Sequence, residues 1–271
     1  NRVKQNIKLI KGIQSKYMKP QKILIKRKKS FELSYQKNKF VLFIDENRKL
    51  DSGVPLHRDI KDMIKKFINK KVFKDLPINK SIYLDNPLTL DPDFILIIKV
   101  KNCVDDKDLY EFGKIISRFK ERNTLSIIWS IGKALDLTAR TIQLRSYVFN
   151  KLKSDNNRTK MSAETIFFVD EKYKYSKIDL SSNDALAEGV FLCRDLINLP
   201  ANILNTKKFE SELKSLKKIG VKVTVLNEKE IKAIGMNLLF AVGQGSESPS
   251  KVVVLEWKSG KRDAKPTALI G

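Results

Sequence analysis

The chain reads as an α/β protein: a mixed, mostly parallel sheet with helices on both faces, a linker helix, and a second α/β unit opening towards the C-terminus. Three observations predict this. Phe94-Ile95-Leu96-Ile97-Ile98 is a continuous apolar run, the pattern of a strand buried on both faces. Asp105-Asp106 then opens a helical repeat of Leu109, Phe112, Ile115, Ile116 and Phe119. Leu125–Trp129 returns as a second apolar run, and this alternation of strands with helices lays helices over strands that run the same way.

Taken in order, residues 1–20 scatter Lys and Gln through weak apolar content and read as a loosely held basic extension. A first domain is expected over 21–178. Ile23–Ile25 and Phe40–Ile44 are short β-branched and aromatic runs expected in one sheet, with Asp45-Glu46-Asn47 as the turn that closes the second. Asp59 to Lys70 spaces Ile60, Met63, Ile64 and Phe67 for one helix face. After Leu125–Trp129, Ala134 to Leu152 is expected as a helix and Thr165–Val169 as a strand.

From Glu171 to Asn183 the sequence turns polar, and Ser181-Ser182-Asn183-Asp184 supplies cap residues for a linker helix over 179–198. Leu186, Val190, Cys193 and Ile197 fall on a single stripe of it, which predicts a buried, unreactive Cys193, and Pro200 ends it. In the last part, 199–271, Asn205-Thr206 caps a helix bearing Phe209, Leu213 and Leu216, with Gly220 as its left-handed terminator. Val221–Val225 reads as a strand, Glu228–Ile234 as a short helix, Leu238–Val242 as strand-like, and Val252–Trp257 and Thr267–Ile270 as strands.

Composition limits the classes. With 271 residues and 42% hydrophobic content the chain can build a real core. No run approaches the roughly 18 to 20 apolar residues that cross a bilayer, so no membrane partner is expected. Cys103 and Cys193 are too few for a disulfide framework, which fits a reducing cytoplasm. His57 is the sole histidine, which removes most histidine-based zinc patterns and means that any serine triad would have to be built on that one imidazole; it is expected in a surface loop.

Charge is uneven as well as high. The formal net charge is +23, and residues 1–40 hold 13 Lys/Arg against the single acid Glu32. The run Lys26-Arg27-Lys28-Lys29 is therefore a candidate phosphate-contacting patch for nucleic acid, although lysine spread along the whole chain reads more simply as solvated surface. Asp91-Pro92-Asp93 and Asp105-Asp106 invite a cation or acid–base role. Their settings, a proline turn before a strand and a helix N-terminus, assign them to turn and cap instead. Gly243-Gln244-Gly245-Ser246 lacks the third glycine and the following helix of a dinucleotide loop, and reads as a tight turn.

A family resemblance rests on particular residues. Arg194-Asp195, Asn198-Leu199-Pro200-Ala201-Asn202, Gly235-Met236, Gly243-Gln244-Gly245-Ser246 and Val254-Leu255-Glu256-Trp257 stand in an order and spacing that resembles the leucyl (cytosol) aminopeptidase family. Lys207 departs from it, where the family usually has proline. Leu144–Phe149 carries a weaker likeness in the N-terminal part. The resemblance implies a two-domain, cytoplasmic subunit, assembled as a homo-hexamer, that removes leucine-like N-terminal residues from peptides. It also implies two divalent ions (zinc, manganese or magnesium) in the C-terminal domain. Their ligands align beyond Gly271, so the resemblance nominates no catalytic and no metal-binding residue here, and the chain alone is expected to be inactive. The alternatives are a nucleic-acid-binding module and a non-catalytic assembly or regulatory module of the same fold.

Overall fold

A computed structural model describes residues 24–28, 39–48, 50, 56, 58–85, 94–118, 125–131, 135–154, 165–169, 180–258 and 265–271. Their packing divides into two compact units, one spanning Pro20–Cys193 and the other including Arg194–Gly271.

The first unit is built on a six-stranded sheet. Its strands are β1 (Leu24–Lys28), β2 (Lys39–Asp45), β3 (Ser81–Asp85), β4 (Phe94–Val100), β5 (Leu125–Ile128) and β6 (Thr165–Val169), in the order β1-β6-β5-β2-β4-β3. All neighbours run parallel except β3, which pairs antiparallel with β4 from Ser81↔Ile98 to Asp85↔Phe94. β2 lies near the middle of the sheet between β5 and β4, and the pleat sends alternate residues to opposite faces. Phe40, Leu42, Ile44, Ile95 and Ile97 pack beneath α1 (Arg58–Ile68) with Ile60, Ile64 and Ile68, and beneath the one-turn α2 (Lys71–Lys74) with Phe73. Val41, Phe43, Leu96 and Ile98 face α3 (Asp106–Ile116) and α4 (Asp136–Arg145), meeting Phe112, Ile116, Ala139 and Ile142. Phe43 anchors that face, with ring centroids 5.2 Å from both Phe112 and Trp129. The expected mostly parallel sheet with helices on both faces is what the chain forms.

α3 and α4 approach closely because Gly113 lies between them. A Cβ there would fall 2.5 Å from the Cβ of Thr141, while the Thr138 hydroxyl donates to the Leu109 carbonyl at 2.9 Å. α4 is shorter than the expected Ala134–Leu152 helix: Ser146 stops it, its hydroxyl donating to the Gln143 carbonyl at 2.6 Å in competition with the helix ladder. β1 is shifted from the expected Ile23–Ile25 into the basic run. β3 is an edge strand that the apolar pattern did not announce.

α5 (Leu180–Ile197) is helical over the segment expected as a linker helix, but a different face of it is buried. Asn183, Ala187 and Phe191 are covered, the Phe191 ring lying 5.4 Å from that of Tyr147. Arg140 Nε donates to Asn183 Oδ1 at 3.0 Å, Asn183 Nδ2 reaches the Asp136 carbonyl at 3.3 Å, and Gln143 Nε2 donates to Asp184. These polar contacts rotate the Leu186–Cys193–Ile197 stripe outward. The expectation of a buried Cys193 is therefore wrong: the thiol is exposed, and Ile197 is 81% exposed.

The second unit carries α6 (Thr206–Ser215), a 3-10 turn (Leu216–Ile219), β7 (Lys222–Leu226), α7 (Glu228–Ala233), α8 (Asn237–Gly243) and β8 (Val252–Glu256). β7 and β8 form an antiparallel pair from Lys222↔Glu256 to Leu226↔Val252. Asn205 caps α6 by accepting from the Lys208 N–H at 3.0 Å, and Gly220 ends the 3-10 turn at φ 94°. Asn227 and Glu230 form a reciprocal capping box at α7. Two expectations are corrected. Leu238–Val242 is helical, since a five-residue apolar run has too few residues to distinguish the two periods. Thr267–Ile270 has no regular structure, and its Leu269 and Ile270 are exposed.

Candidate functional site

The basic run nominated by the sequence lies in an edge strand. Lys26, Arg27 and Lys28 form the end of β1, paired with Phe167, Phe168 and Val169 of β6. Lys29, His57, Asp91 and Asp93 lie outside the described residues.

The densest polar cluster gathers where β4 ends and α3 begins. Asp105 is the N-cap of α3, accepting from the Asp108 N–H at 3.0 Å, and Asp108 returns the contact by accepting from the Asp105 N–H at 2.7 Å. Lys101 Nζ lies 2.9 Å from both carboxylates, and Asn79 Nδ2 donates to Asp108 at 2.7 Å. The Lys101 hydrogen bond, with the backbone donor, holds Asp105 down to about 2. Burial alone would raise the Asp108 carboxyl, but the hydrogen bonds from the Asp105 N–H, Lys101 and Asn79 outweigh it and keep it below its ordinary value. The two aspartates push the Lys101 ammonium upward. All three groups are thus fixed in their charged forms, which suits a brace rather than a proton carrier. Asp105 does the capping expected of it. Asp108, Lys101 and Asn79 were missed; the Asp105-x-x-Asp108 spacing of a capping box was the available signal.

The resemblance-bearing residues of the second unit form turns and close contacts. Asn198 Nδ2 donates to the Arg194 carbonyl at 2.9 Å, and the Ile203 and Leu204 N–H groups fold back on the Pro200 carbonyl. Thr206 Oγ1 donates to the Pro249 carbonyl at 2.9 Å, and the Ser250 N–H donates to Glu228 at 3.0 Å. Gly243 ends α8 against this segment, and any Cβ on it would collide with the Ser250 hydroxyl. The Ser246 N–H then donates to the Gly243 carbonyl at 3.1 Å, giving the expected tight turn. Gly243 is glycine because of Ser250, and the helix precedes the glycines instead of following them.

Among the described residues, no group of three or more His, Cys, Asp and Glu side chains is placed to hold a metal ion. The described residues therefore do not fit a two-metal centre, and no catalytic step is assigned to them. None of the described helices is long and apolar enough to cross a membrane.

Comparison with known proteins agrees with the family-specific residues. Residues 191–271 match the family model for the catalytic domain of the cytosol aminopeptidase family. A probable cytosol aminopeptidase of Dinoroseobacter shibae is 32% identical over 218 residues, which is 80% of this chain and 43% of that protein. One from Chelativorans is 37% identical over 168 residues, 59% of this chain and 34% of the relative. The chain thus spans less than half the length of these curated relatives. In fold it resembles a lysine-to-glutamate mutant of tomato leucine aminopeptidase, with a TM-score of 0.67 at 18% identity over 90% of this chain and 52% of the other. It also resembles the bottromycin maturation enzyme BotP in complex with Mn, with a TM-score of 0.56 at 14% identity over 82% of this chain and 45% of the other. This chain belongs to the leucyl (cytosol) aminopeptidase family.

Proposed function

We propose that the full-length protein is a cytoplasmic, metal-dependent aminopeptidase that removes leucine-like N-terminal residues from peptides and assembles as a homo-hexamer. The observation that carries this reading is the match of residues 191–271 to a cytosol aminopeptidase catalytic domain. Two divalent ions, zinc, manganese or magnesium, would supply an activated water and polarise the scissile carbonyl. A relative in fold was solved in complex with Mn, which supports a divalent ion.

The contribution of these 271 residues is scaffold. Asn198–Asn202 and Gly243–Ser250 are occupied with internal contacts that fix turns and helix ends. Alone, the 271-residue chain should release no leucine from a leucyl anilide with any of the three ions, whereas the protein encoded by the whole source gene should do so and lose that activity to a chelator. Metal-dependent turnover by the 271 residues would overturn the assignment of the chemistry elsewhere. An inactive full-length protein would overturn the peptidase reading.

A further inference from the structure

The end of α1 and the one-turn α2 concentrate positive charge. Residues 63–74 hold Lys65, Lys66, Lys70, Lys71 and Lys74 and no acid, and Asp75 is the first acid after them. α1 turns Ile60, Ile64 and Ile68 into the core and α2 does the same with Phe73, which leaves all five lysines on the outer side, exposed. Among the described residues, Lys66, Lys70, Lys71 and Lys74 form no ion pair, and Lys65 meets Asp62 at 3.4 Å in an open contact worth little.

Lysines at a helix end ordinarily serve its last carbonyls and its dipole. Here that work is done by other groups. From the sheet side, Lys99 Nζ donates to the Lys74 and Leu76 carbonyls at 2.8 and 2.7 Å and lies 3.4 Å from the Phe73 carbonyl. At the end of α1, Asn69 Nδ2 donates to the Lys65 carbonyl at 3.0 Å and the Lys70 N–H to the Phe67 carbonyl at 2.9 Å. The five ammonium groups are thus left over from helix capping. Val72 stands among them on the same turn as Lys71 and Lys74, 59% exposed.

We propose that this face of the first unit lies on an anionic lipid bilayer, its lysines among the headgroups and Val72 at the boundary of the acyl chains. A cluster of four to eight basic residues on an amphipathic helical segment complements such a surface. Two features favour lipid over nucleic acid. All five cations are lysine, point charges without the planar fork that grips a phosphate or a base edge, and the aromatic rings among them are not open to stack on a base, since Phe67 is half-buried and Phe73 enclosed. An apolar Val72 at the level of the ammonium groups gains from entering between headgroups and has no partner on a phosphodiester backbone. Crossing a bilayer needs a long apolar run and lying on one does not, so the lack of such a run leaves this contact open. Only the first unit is needed, so the contact stands whether or not the full-length protein is a peptidase.

The test is partitioning of the 271-residue protein, at physiological salt, onto vesicles of phosphatidylcholine with about 30% phosphatidylserine and onto vesicles of phosphatidylcholine alone. Binding is expected to the anionic vesicles only. Replacing Lys65, Lys66, Lys70, Lys71 and Lys74 by Gln should weaken it at least about a hundredfold, at about fivefold per lysine. Replacing Lys107, Lys207, Lys217, Lys218 and Lys229, exposed lysines elsewhere, by Gln removes the same charge but should weaken it less than about tenfold, since screening over about 8 Å leaves remote charges little influence. In a Trp257→Phe background, Val72→Trp should shift its emission to the blue on the anionic vesicles as the ring leaves water. No vesicle binding, equal losses in the two lysine variants, or an unshifted emission would overturn the bilayer contact. So would a need for the five lysines in binding duplex DNA but not vesicles, which would give the face to nucleic acid.

Discussion

The two units have similar proportions of apolar residues and use them to different ends. Pro20–Cys193 buries its share: the central residues of β2 and β4 are fully covered on both faces, and Phe112, Phe73 and Phe191 are enclosed. In Arg194–Gly271, Val223 and Ile231 are the buried hydrophobic residues among those described, while Leu238 is 86% and Val242 85% exposed and Val254, Leu255 and Trp257 are also open to solvent. A two-stranded sheet is marginal without further strands or helices on its apolar face. Amphipathic patterning alone does not distinguish an open apolar face of this kind from a finished core.

Substitutions can break this contrast directly. The largest effect is expected for Phe112→Ala, which should cost the first unit about 3–5 kcal/mol in denaturant unfolding, whereas Leu238→Ala should change stability by less than about 0.5 kcal/mol. Comparable losses at the two sites would mean that the second unit is as well packed as the first. Next, Gly113→Ala should cost about 1–3 kcal/mol, because the new Cβ must displace Thr141 and separate α3 from α4. A neutral result would show that the two helices are not in close contact.

Acid provides a smaller probe of the first unit. Asp105 is lowered from 3.8 to about 2 and Asp108 is lowered as well, so the stability they add is present above about pH 4 and is lost as the pH falls towards 2. Asp108→Asn should raise the midpoint of acid unfolding and leave neutral-pH fluorescence of Trp129 in place; an unchanged midpoint would remove the brace from the account. The smallest effect is expected at the basic strand. If Lys26, Arg27 and Lys28 bind nucleic acid, replacing all three by Ala should flatten the salt dependence of duplex binding by about 0.9 logarithmic units for every phosphate that is no longer neutralised. Duplex affinity that is absent, or indifferent to salt, removes that role.

Much of the first unit was legible because its strands are long enough to show their period. Ile95–Ile98 and Phe40–Ile44 are buried on both faces and therefore carry no polar interruptions, and Asp105 announced the start of α3. β3 was not legible: Ser81–Asp85 is an edge strand, half solvated, with polar residues at both ends and a proline-rich neighbourhood. The face of α5 was misjudged because Arg140 and Gln143, remote in sequence, choose Asn183 and Asp184 as partners and so set the rotation of the helix. α8 looked like a strand because five apolar residues between glycines satisfy both periods. The family was legible from short motifs whose positions are fixed by close contacts, Gly243 against Ser250 among them.

Native-state hydrogen exchange of the 271-residue protein tests the central contrast most directly. Amides of β2, β4 and β5 should exchange together and slowly, through global unfolding of the first unit, while those of β7 and β8 should exchange through local opening at least about a hundredfold faster. Equal protection of the two sets would contradict the account, since a two-stranded sheet with open apolar faces would then be as stable as an enclosed six-stranded one.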